Sequence, residues 1–595
     1  MNAETRKQKR ARLLQSPDVS VVIVGGGING IGLYRELALQ GVDVLLVEKE
    51  DYCSGASAAP SRMIHGGLRY LENGEFTLVR ESLNERNRLL ANAPHYVRPL
   101  PTTIPIFSRW DGVWQALLRF LRLSDKQSRR GAFVIKLGLM AYDLFTKGAT
   151  SMPTHRFHRK CSTNTQWPAL NKETVCSATY YDAWISYPER LAFELLADTE
   201  QLSDTGMALN YAELIRAEGD QLMIEDRTDG AQIRVKPRVV VNAAGAWIDF
   251  TNQAFSMPTQ FIGGTKGSHL IINNRELYQA TGGGMIYYEN PEGRICILFP
   301  YFDNVLVGST DISITNPDTA VCTAEETAYI LESLKYIFPD ITISHDEIVY
   351  RFSGVRPLPA SDRETNGQIS RDHSCRVMPA SEDQPFPVYS MVGGKWTTFR
   401  SFAEQVADRV LADLDVTRQQ STHALAIGGG KDYPESDSER EHWCQQFSEK
   451  YGCSILRAEQ LLMRYGTCAV ALAEKYDLGN DRPLEHHTGY SYGELTYLIG
   501  SEQVVHLSDL LLRRTALAIS GELNMAMVQE FNELLARQSG WSAEVAEEEL
   551  SRTLSHLEKH HGLDHNTLNK RPSIRSEEHH VSSQESAYEA VVQAG

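Results

Sequence analysis

Three glycines near the start of the chain have the spacing of a phosphate-binding turn. Residues 21–24 are an apolar, β-branched run, and Gly25, Gly27 and Gly30 follow it before a helical stretch at 31–40. Gly25 permits a tight turn, Gly27 lets backbone amides approach a pyrophosphate, and Gly30 lets helix and strand pack closely. Unpaired N–H groups and the helix dipole favour an anion at the helix start. The pattern predicts dinucleotide binding.

An acidic residue completes this unit. A second apolar run at 42–47 ends in Glu48, 23 positions after Gly25. Strand, glycines, helix, strand and acid stand in the order of a dinucleotide-binding βαβ unit, in which the carboxylate accepts hydrogen bonds from a ribose. An ordinary strand-turn-helix unit has no need of that acid. The stretch is compatible with more than one dinucleotide.

Two later stretches have small residues that would let a backbone lie against a flat ligand. In residues 54–71, small and hydroxyl side chains precede His65-Gly-Gly, and Arg69 and Tyr70 then add a cation and a hydroxyl. This stretch is equally typical of a small-residue turn with a surface arginine. Residues 239–247 are a buried-strand pattern running into Ala244 and Gly245, which suits either a second cofactor contact or a plain glycine turn.

Cationic residues lie at the ends of apolar runs farther along. Lys266-Gly-Ser-His269 leads into an apolar run, and residues 353–358 and 368–372 each contain one arginine, Arg356 and Arg371. Gly393-Gly-Lys395 opens a helical stretch to about residue 414, a second helix start where an electron-rich group could rest. These runs predict a second sheet with polar residues at its strand ends.

Composition excludes several classes of protein. The 595 residues are 42% apolar and carry a formal net charge of −17, which argues against nucleic acid as the main partner. Nine scattered cysteines without a Cys-x-x-Cys pair predict reduced thiols and no zinc site in a cytoplasmic protein. We expect no bound metal, no secretory signal in residues 1–18 and no transmembrane helix.

Residues 110–123 have apolar positions at helical spacing, including two tryptophans, with basic residues nearby up to Arg130. The pattern fits a helix lying in a membrane interface and, equally, an amphipathic helix packed on its own core.

The ends of the chain differ from its middle. We expect residues 1–17 to be a flexible basic arm, 18–415 to hold interleaved cofactor and substrate domains, and 416–565 to be a helical domain. Residues 566–595 are rich in Ser, Glu and His, which predicts a disordered tail.

With these motifs in view, the chain resembles the FAD-dependent glycerol-3-phosphate dehydrogenases of the aerobic, membrane-associated type, strongly over about residues 18–410. More widely it resembles the superfamily that includes D-amino-acid and sarcosine oxidases. The resemblance implies an α/β fold: a Rossmann-like FAD-binding domain, an inserted mixed β-sheet substrate domain and a C-terminal all-helical domain. The motifs that carry it are Gly25-Gly-Gly-Ile-Asn-Gly30, Ser61-Arg-Met-Ile-His-Gly-Gly-Leu-Arg-Tyr70, Lys266-Gly-Ser-His269, Gly308-Ser-Thr-Asp311, Ser353-Gly-Val-Arg-Pro-Leu358 and Gly393-Gly-Lys-Trp-Thr-Thr398.

The resemblance implies that FAD is the cofactor. The resemblance places the helix start at Gly394 to Thr397 near the flavin, where the helix dipole would stabilise negative charge on the reduced ring. Residues 56–61 depart from the family pattern, because they include a proline and fewer hydroxyls. The expected FAD contacts are Gly25, Gly27, Gly30, Glu48, Ser57, Ser61, Met63, Ala244, Gly245, Gly394, Lys395, Trp396 and Thr397.

For the substrate, the resemblance points to sn-glycerol 3-phosphate, oxidised to dihydroxyacetone phosphate by hydride transfer from C2 to FAD. A phosphate dianion needs several fixed cations. We expect His269, with a pKa near neutrality, to be the base, and Arg356 or Lys395 to stabilise the developing alkoxide. Arg69, Tyr70 and Arg371 are the expected substrate-binding residues.

The resemblance further implies membrane quinone as electron acceptor, a peripheral position on the inner face of the cytoplasmic membrane, and a possible homodimer. Three alternatives stay open: a glycerol-3-phosphate oxidase that uses O2, an amine or amino-acid oxidase on the same scaffold, and a flavin-binding scaffold without turnover.

Overall fold

The computed structural model describes residues 5–68, 75–109, 131–146, 152–360 and 372–574. Within these ranges the chain forms two large sheets, followed along the sequence by a group of helices. No helix of the described ranges is long and apolar enough to cross a membrane.

The amino-terminal segment is a docked helix, α1 (Arg6–Gln15), where the basic residues predicted a flexible arm. Thr5 and Gln8 form a capping box at its start, which satisfies two of the unpaired amides there. The Arg6 guanidinium lies 2.8 Å from a carboxylate oxygen of Asp226, and the Leu13 side chain is buried. The charges that suggested a solvated arm are ion-pair partners in the fold.

The first sheet contains the predicted βαβ unit. Strand β1 (Asp18–Val24) lies parallel to β2 (Val44–Val47) and β10 (Ala231–Asn242), with Val21 opposite both Val44 and Val239. The central residues of β1 are fully buried, as expected for a parallel sheet covered on both faces. The order is β17-β18-β10-β1-β2-β7, and β8 and β9 extend it from β10 as an antiparallel hairpin. Its described strands are β1 (Asp18–Val24), β2 (Val44–Val47), β7 (Gly206–Leu209), β8 (Ala212–Glu218), β9 (Gln221–Asp226), β10 (Ala231–Asn242), β17 (Ser374–Met378) and β18 (Val388–Val392).

The second sheet is mixed, as predicted for the substrate domain. Its order is β15-β11-β14-β13-β12-β4-β6-β3, with β16 paired to β11 and β5 to β6; the β12–β4 pair is parallel. Its described strands are β3 (Met63–Ile64), β4 (Val97–Ile106), β5 (Arg156–Arg159), β6 (Cys176–Ile185), β11 (Thr265–Ile272), β12 (Met285–Glu289), β13 (Ile295–Tyr301), β14 (Asn304–Gly308), β15 (Ile312–Ser313) and β16 (Ile348–Arg356).

The helices among and before these strands cover the sheets. Helix α2 starts directly after the glycine turn and packs against α10. The described helices of this part of the chain are α2 (Ile28–Ala38), α3 (Phe76–Asn92), α4 (Ala132–Thr146), α5 (Lys160–Gln166), α6 (Pro188–Leu202), α7 (Ile248–Gln253), α8 (Arg275–Ala280), α9 (Ala324–Ile337) and α10 (Phe399–Asp413).

The carboxy-terminal part is helical, in agreement with the predicted fold class. The segment expected to be a disordered tail begins with helix α18, and Ile574 forms a bridge with His487; residues 575–595 lie outside the described ranges. The helices are α11 (Asp437–Tyr451), α12 (Ile455–Tyr465), α13 (Ala469–Lys475), α14 (Tyr492–Ser501), α15 (Leu507–Asp509, continued by π-helical Leu510–Arg514), α16 (Met525–Ser539), α17 (Ala543–His556, continued by π-helical Leu557–His561) and α18 (His565–Lys570).

Candidate active site

The glycine turn after β1 leaves no room for side chains. Gly25 has a φ of 115°, and a Cβ atom there would lie 2.6 Å from the carbonyl oxygen of Ala243. A Cβ at Gly30 would lie 2.0 Å from the carbonyl oxygen of Gly25. Glycine is therefore required at both positions. The resulting cradle of backbone at the start of α2 is suited to a pyrophosphate.

Glu48 lies at the end of β2 and lines the same cavity as the glycine turn. Its carboxylate accepts hydrogen bonds from the backbone N–H of Gly26 at 2.6 Å and of Glu50 at 2.9 Å. Burial raises the pKa of this carboxyl, and the two amide bonds oppose that shift. The two amide bonds fix the orientation of the carboxylate at the edge of the cavity, on the side where the resemblance places the adenosine ribose.

Two separate segments close around the start of α2. The Ser57 hydroxyl accepts a hydrogen bond from the Ile28 N–H at 2.9 Å, and the Trp396 indole donates to the Ser57 carbonyl at 3.0 Å. Gly394 has a φ of 94°, and a Cβ there would meet the Asn29 side chain at 2.5 Å. The sequence-predicted residues of all three segments are thus neighbours.

The other expected cofactor residues line the same cavity or a second, smaller one beside it. Ala244 and Gly245 follow β10 and line the cavity, and the Thr397 hydroxyl accepts a hydrogen bond from the His65 N–H at 3.2 Å. Met63, in β3, lines a second cavity.

The two cavities share one wall. The larger has a volume of about 1130 Å³ and runs from the glycine turn to the helical domain, and the smaller, of about 520 Å³, lies against the second sheet. The residues common to both are Pro60, Ser61, Arg356, Lys395 and Trp396. The larger cavity fits FAD, because it combines the backbone cradle with enough length for a dinucleotide, and the smaller offers a place for a substrate beside it.

His269 sits in the middle of β11 between two neighbouring strands. Its ring stacks on Phe352 of β16 at 4.9 Å, and it lies so close to Gly308 of β14 that a Cβ there would be 2.2 Å from the ring. Its Nε2 atom is 2.8 Å from the Ser61 hydroxyl, and its Nδ1 atom has no hydrogen-bond partner among the described residues.

The expectation of a near-neutral pKa for His269 is wrong. Burial, together with the nearby positive charges of Arg356 and Arg62, lowers its pKa to about 3. The imidazole is therefore neutral at physiological pH and able to accept a proton. An anion bound beside it would raise the pKa and strengthen it as a base.

Arg356 ends β16 on the shared wall. Its guanidinium donates to the Ser309 hydroxyl at 2.9 Å and to the Asp311 carboxylate at 3.2 Å. A Cβ at Gly267 would lie 2.2 Å from the guanidinium, so this glycine leaves the space that the arginine fills. These contacts hold the cation at the opening between the cavities.

Lys395 approaches the shared wall from the other side. It precedes a short 3-10 turn at the start of α10, and its ammonium group donates to the Ser82 hydroxyl of α3 at 2.8 Å. Arg356 and Lys395 therefore place two cations on one wall, whereas Arg69, Tyr70 and Arg371 lie outside the described residues.

Sequence reasoning missed Arg294. It lines the smaller cavity and donates to the Asp311 backbone carbonyl at 3.0 Å, so that Asp311 lies between Arg294 and Arg356. Its position directly before the apolar run of β13 was the available signal. Among the described residues, the cationic side chains of Arg294, Arg356 and Lys395 therefore line the smaller cavity.

Comparisons with known proteins agree with this geometry. Residues 20–397 match the family described as FAD dependent oxidoreductase, and residues 420–546 match the C-terminal domain of alpha-glycerophosphate oxidase. The chain is 28% identical over 92% of its length to a glycerol-3-phosphate dehydrogenase of Synechocystis sp., covering 97% of that protein. It is 29% identical over 84% of its length to one of Pseudomonas tolaasii, covering 92% of that protein.

The solved structure of the glycerol-3-phosphate dehydrogenase from Bacillus halodurans complexed with FAD has the same fold. Its TM-score is 0.70 at 21% sequence identity, over 94% of this chain and 98% of that one. The family match spans most of the chain and includes the described residues that line the smaller cavity and most of those that line the larger one. The chain belongs to the FAD dependent oxidoreductase family, and FAD is its cofactor.

Proposed function

We propose that the protein oxidises sn-glycerol 3-phosphate to dihydroxyacetone phosphate. The observation that carries the proposal is the shared wall: Arg356 and Lys395 lie between the FAD cavity and a smaller cavity that also contains Arg294. Several fixed cations suit a phosphate dianion and are not needed for an amine substrate. The names of the relatives in Synechocystis sp. and Pseudomonas tolaasii support the same substrate.

Within the smaller cavity, the cations hold the substrate and His269 takes the proton. The Ser61 hydroxyl lines the smaller cavity and lies 2.8 Å from His269 Nε2, so it connects the substrate space to the imidazole. Arg356 stabilises negative charge that develops on the C2 oxygen as its proton leaves. Bound FAD supplies the hydride acceptor.

The experiment is an anaerobic titration of the holoenzyme with sn-glycerol 3-phosphate. We expect the flavin absorbance to bleach with this substrate, while glycerol and a set of D- and L-amino acids at the same concentration leave it unchanged. Glycerol is the matched control because it has the hydroxyls and lacks the phosphate. Bleaching by an amino acid, or its absence with glycerol 3-phosphate, would contradict the proposal.

We infer further that the protein docks on the inner face of the cytoplasmic membrane and delivers electrons to membrane quinone. Helix α4 supports this, because it is apolar on two opposite faces. Ile135, Leu139 and Tyr142 are buried on one face. The outward face bears four large exposed side chains: Phe133 (52%), Leu137 (62%), Met140 (54%) and Leu144 (68%).

A face of this kind at helical spacing suits the interface of a bilayer. Lys136 is exposed on the same helix, and the basic stretch up to Arg130 precedes it in the sequence. The amphipathic stretch 110–123 lies outside the described residues, so α4 replaces it as the surface that supports the proposal.

Vesicle co-sedimentation tests the docking surface. Leu137→Glu with Met140→Glu should release the protein from vesicles containing anionic lipid, whereas Val545→Glu, at an exposed site in the helical domain, should not. Unchanged sedimentation of the double variant would contradict this surface.

The electron acceptor is tested by turnover with glycerol 3-phosphate in air in the presence of a quinone. We expect the quinone to be reduced without formation of peroxide, and stoichiometric peroxide would contradict quinone as the acceptor.

A further inference from the structure

We propose that Glu326 is a positioning residue that holds His269 and Arg356 in their relative places. Glu326 belongs to the first turn of α9, is 3% exposed and lines neither cavity. It therefore acts through the segments that carry the base and hold the cation. The inference rests on the proposed function, because that function gives His269 and Arg356 their roles.

Both oxygens of the Glu326 carboxylate accept two hydrogen bonds. Oε1 accepts from the hydroxyls of Ser268 at 2.8 Å and Thr310 at 2.6 Å. Oε2 accepts from the Lys266 ammonium group at 2.7 Å and the Thr323 backbone N–H at 3.0 Å. Burial raises the pKa of this carboxyl, but the ammonium group and the other donors outweigh burial and hold the pKa below its usual value. The group is therefore an ionised carboxylate with its acceptor sites in use.

Helix capping accounts for the bond to Thr323 and not for the others. Thr323 and Glu326 form a capping box at the start of α9, in which Oε2 accepts the Thr323 N–H. Oε1 takes no part in the cap. Its two hydroxyl donors come from β11 and from the segment between β14 and β15, so Oε1 joins two segments of the second sheet.

The Ser268 contact leads directly to His269, the next residue of β11. Because a carboxylate only accepts, the Ser268 hydroxyl must donate to Glu326 and accept from the Ser353 hydroxyl, 2.6 Å away on β16. The Ser268 backbone N–H donates to the Thr310 hydroxyl at 2.9 Å. The residue before His269 is thus fixed through both its side chain and its backbone.

The Thr310 contact leads to Arg356. The Thr310 carbonyl accepts hydrogen bonds from both terminal nitrogens of the Arg356 guanidinium at 3.3 Å, and the adjacent Ser309 hydroxyl accepts one at 2.9 Å. This segment lies between β14 and β15, where the Thr310 N–H meets the Ser268 carbonyl only at 3.4 Å. The shorter bond from the Thr310 hydroxyl to Glu326 therefore fixes the segment that holds the guanidinium.

One carboxylate oxygen thus joins the strand of the base to the segment that holds the cation. The proton leaves the C2 hydroxyl for His269 while charge develops beside Arg356, so the rate depends on the relative positions of these two groups. A displacement of about 1 Å can cost about 100-fold in rate. Because the proton transfer and the charge arise only as the reaction proceeds, loss of the link should lower the limiting rate more than it changes half-saturation.

Glu326→Gln breaks this link and keeps the cap. Lys266 and the Thr323 N–H can only donate, so the amide oxygen stays with them and the amide nitrogen faces the two hydroxyls that need an acceptor. In anaerobic rapid mixing with sn-glycerol 3-phosphate, we expect the limiting rate of flavin reduction to fall by about 10- to 100-fold. The half-saturating concentration should change by less than about threefold.

Thr310 gives a second variant on the same hydrogen bond. Thr310→Val removes the hydroxyl with little change of shape and should slow flavin reduction as Glu326→Gln does. Thr310→Ser keeps the hydroxyl and should restore most of the rate. The double variant Glu326→Gln with Thr310→Val should be no slower than the slower single variant, because both changes break one contact.

The matched control is Thr323→Ala, which removes the other half of the capping box and leaves both Oε1 contacts in place. It should lower the thermal midpoint and leave the limiting rate unchanged. Equal slowing in Thr323→Ala and Glu326→Gln would overturn the proposal, because Glu326 would then act only by stabilising α9. An unchanged limiting rate in Glu326→Gln or in Thr310→Val would overturn it as well.

A second readout needs no substrate. In holoenzyme with isotopically labelled histidine, the magnetic-resonance signal of the His269 ring is assigned by its absence from His269→Gln. It should move in Glu326→Gln and Thr310→Val and stay in place in Thr323→Ala. If glycerol 3-phosphate fails to bleach the unaltered protein, the proposed function is contradicted. The ring signal decides separately whether Glu326 positions His269, and an unmoved signal in Glu326→Gln would overturn that role.

Discussion

The imidazole of His269 and the hydroxyl of Ser61 form a 2.8 Å hydrogen bond between β11 and the segment that crosses the wall shared by the two cavities. His269 itself lines the larger cavity, and Ser61 lines both. The serine is therefore the group through which the buried base reaches the substrate space.

Ser61→Ala should slow flavin reduction by glycerol 3-phosphate by about 10- to 100-fold, because the imidazole loses the partner that orients it. Rapid mixing under anaerobic conditions measures this rate. Ser438→Ala, at an exposed serine of helix α11, should leave it unchanged. Equal rates in the two variants would remove Ser61 from the reaction.

The depressed pKa of His269 predicts a pH-dependent contribution to stability. In the unfolded chain the imidazole takes a proton below its ordinary pKa of 6.5, whereas in the fold it stays neutral down to about 3. The contribution is thus fully present above pH 6.5 and is lost as the pH falls from 6.5 toward 3. At pH 5 the loss is roughly 2 kcal/mol.

His269→Gln, which cannot take the proton, should remove this part of the pH dependence. Urea unfolding at pH 7.5 and pH 5 measures it as the difference between the variant and the unaltered protein. The control is His442→Gln, at an exposed histidine, which should keep the full dependence. A difference that does not change with pH would show that His269 titrates normally.

Arg356→Gln should slow flavin reduction by glycerol 3-phosphate by about 10- to 150-fold, the equivalent of about 1.5–3 kcal/mol for a hydrogen bond to the charge that develops on the C2 oxygen. Arg356→Lys keeps the charge but loses the planar fork, so its rate should lie between those of Arg356→Gln and the unaltered protein. Rapid mixing under anaerobic conditions at saturating substrate measures both rates. Arg234→Gln, at an exposed position of β10, is the control, and an unchanged rate in Arg356→Gln would exclude Arg356 from charge stabilisation.

Asp51→Asn should destabilise the holoenzyme by about 3–5 kcal/mol, because it removes a buried negative charge shared by two arginines. Asp51 and Arg514 are fully buried, and Arg513 is 10% exposed. The arginines hold the pKa of Asp51 at about 2.

Since Asp51 lines the FAD cavity and the arginines belong to the helical domain, this variant should also lose FAD more readily. Thermal unfolding followed by flavin fluorescence measures both effects. Glu218→Gln removes the partner of Arg216 at the surface, where both side chains are more than 40% exposed, and should cost less than about 1 kcal/mol. Equal losses of stability in the two variants would contradict a larger contribution from the buried ion pairs of Asp51 than from a surface pair.

Much of the fold could be predicted because its signals are local. The βαβ unit follows from apolar runs, glycines and one acid within fifty residues, and Asp229-Gly230, a local turn signal, lies between the paired strands β9 and β10. Strand β10 pairs with β1 and ends at Asn242, which brings the following Ala244 back to the glycine turn.

What could not be predicted depends on contacts between distant residues. Ser61 and His269 are 208 positions apart, and the pKa of His269 is set by burial against Phe352 and by arginines on other segments. The basic residues of α1 gave no sign of the carboxylate at Asp226 that holds them. Arg294 became a candidate only when the fold placed it beside Arg356, across Asp311.

The most direct test of the mechanism is a single-turnover measurement on His269→Gln. The variant holoenzyme is mixed anaerobically with sn-glycerol 3-phosphate, and the bleaching of its flavin is followed against the unaltered protein. With His269 as the base, the rate should fall by about 10²- to 10⁴-fold while the flavin spectrum before mixing stays the same. A rate within twofold of the unaltered protein would contradict the account.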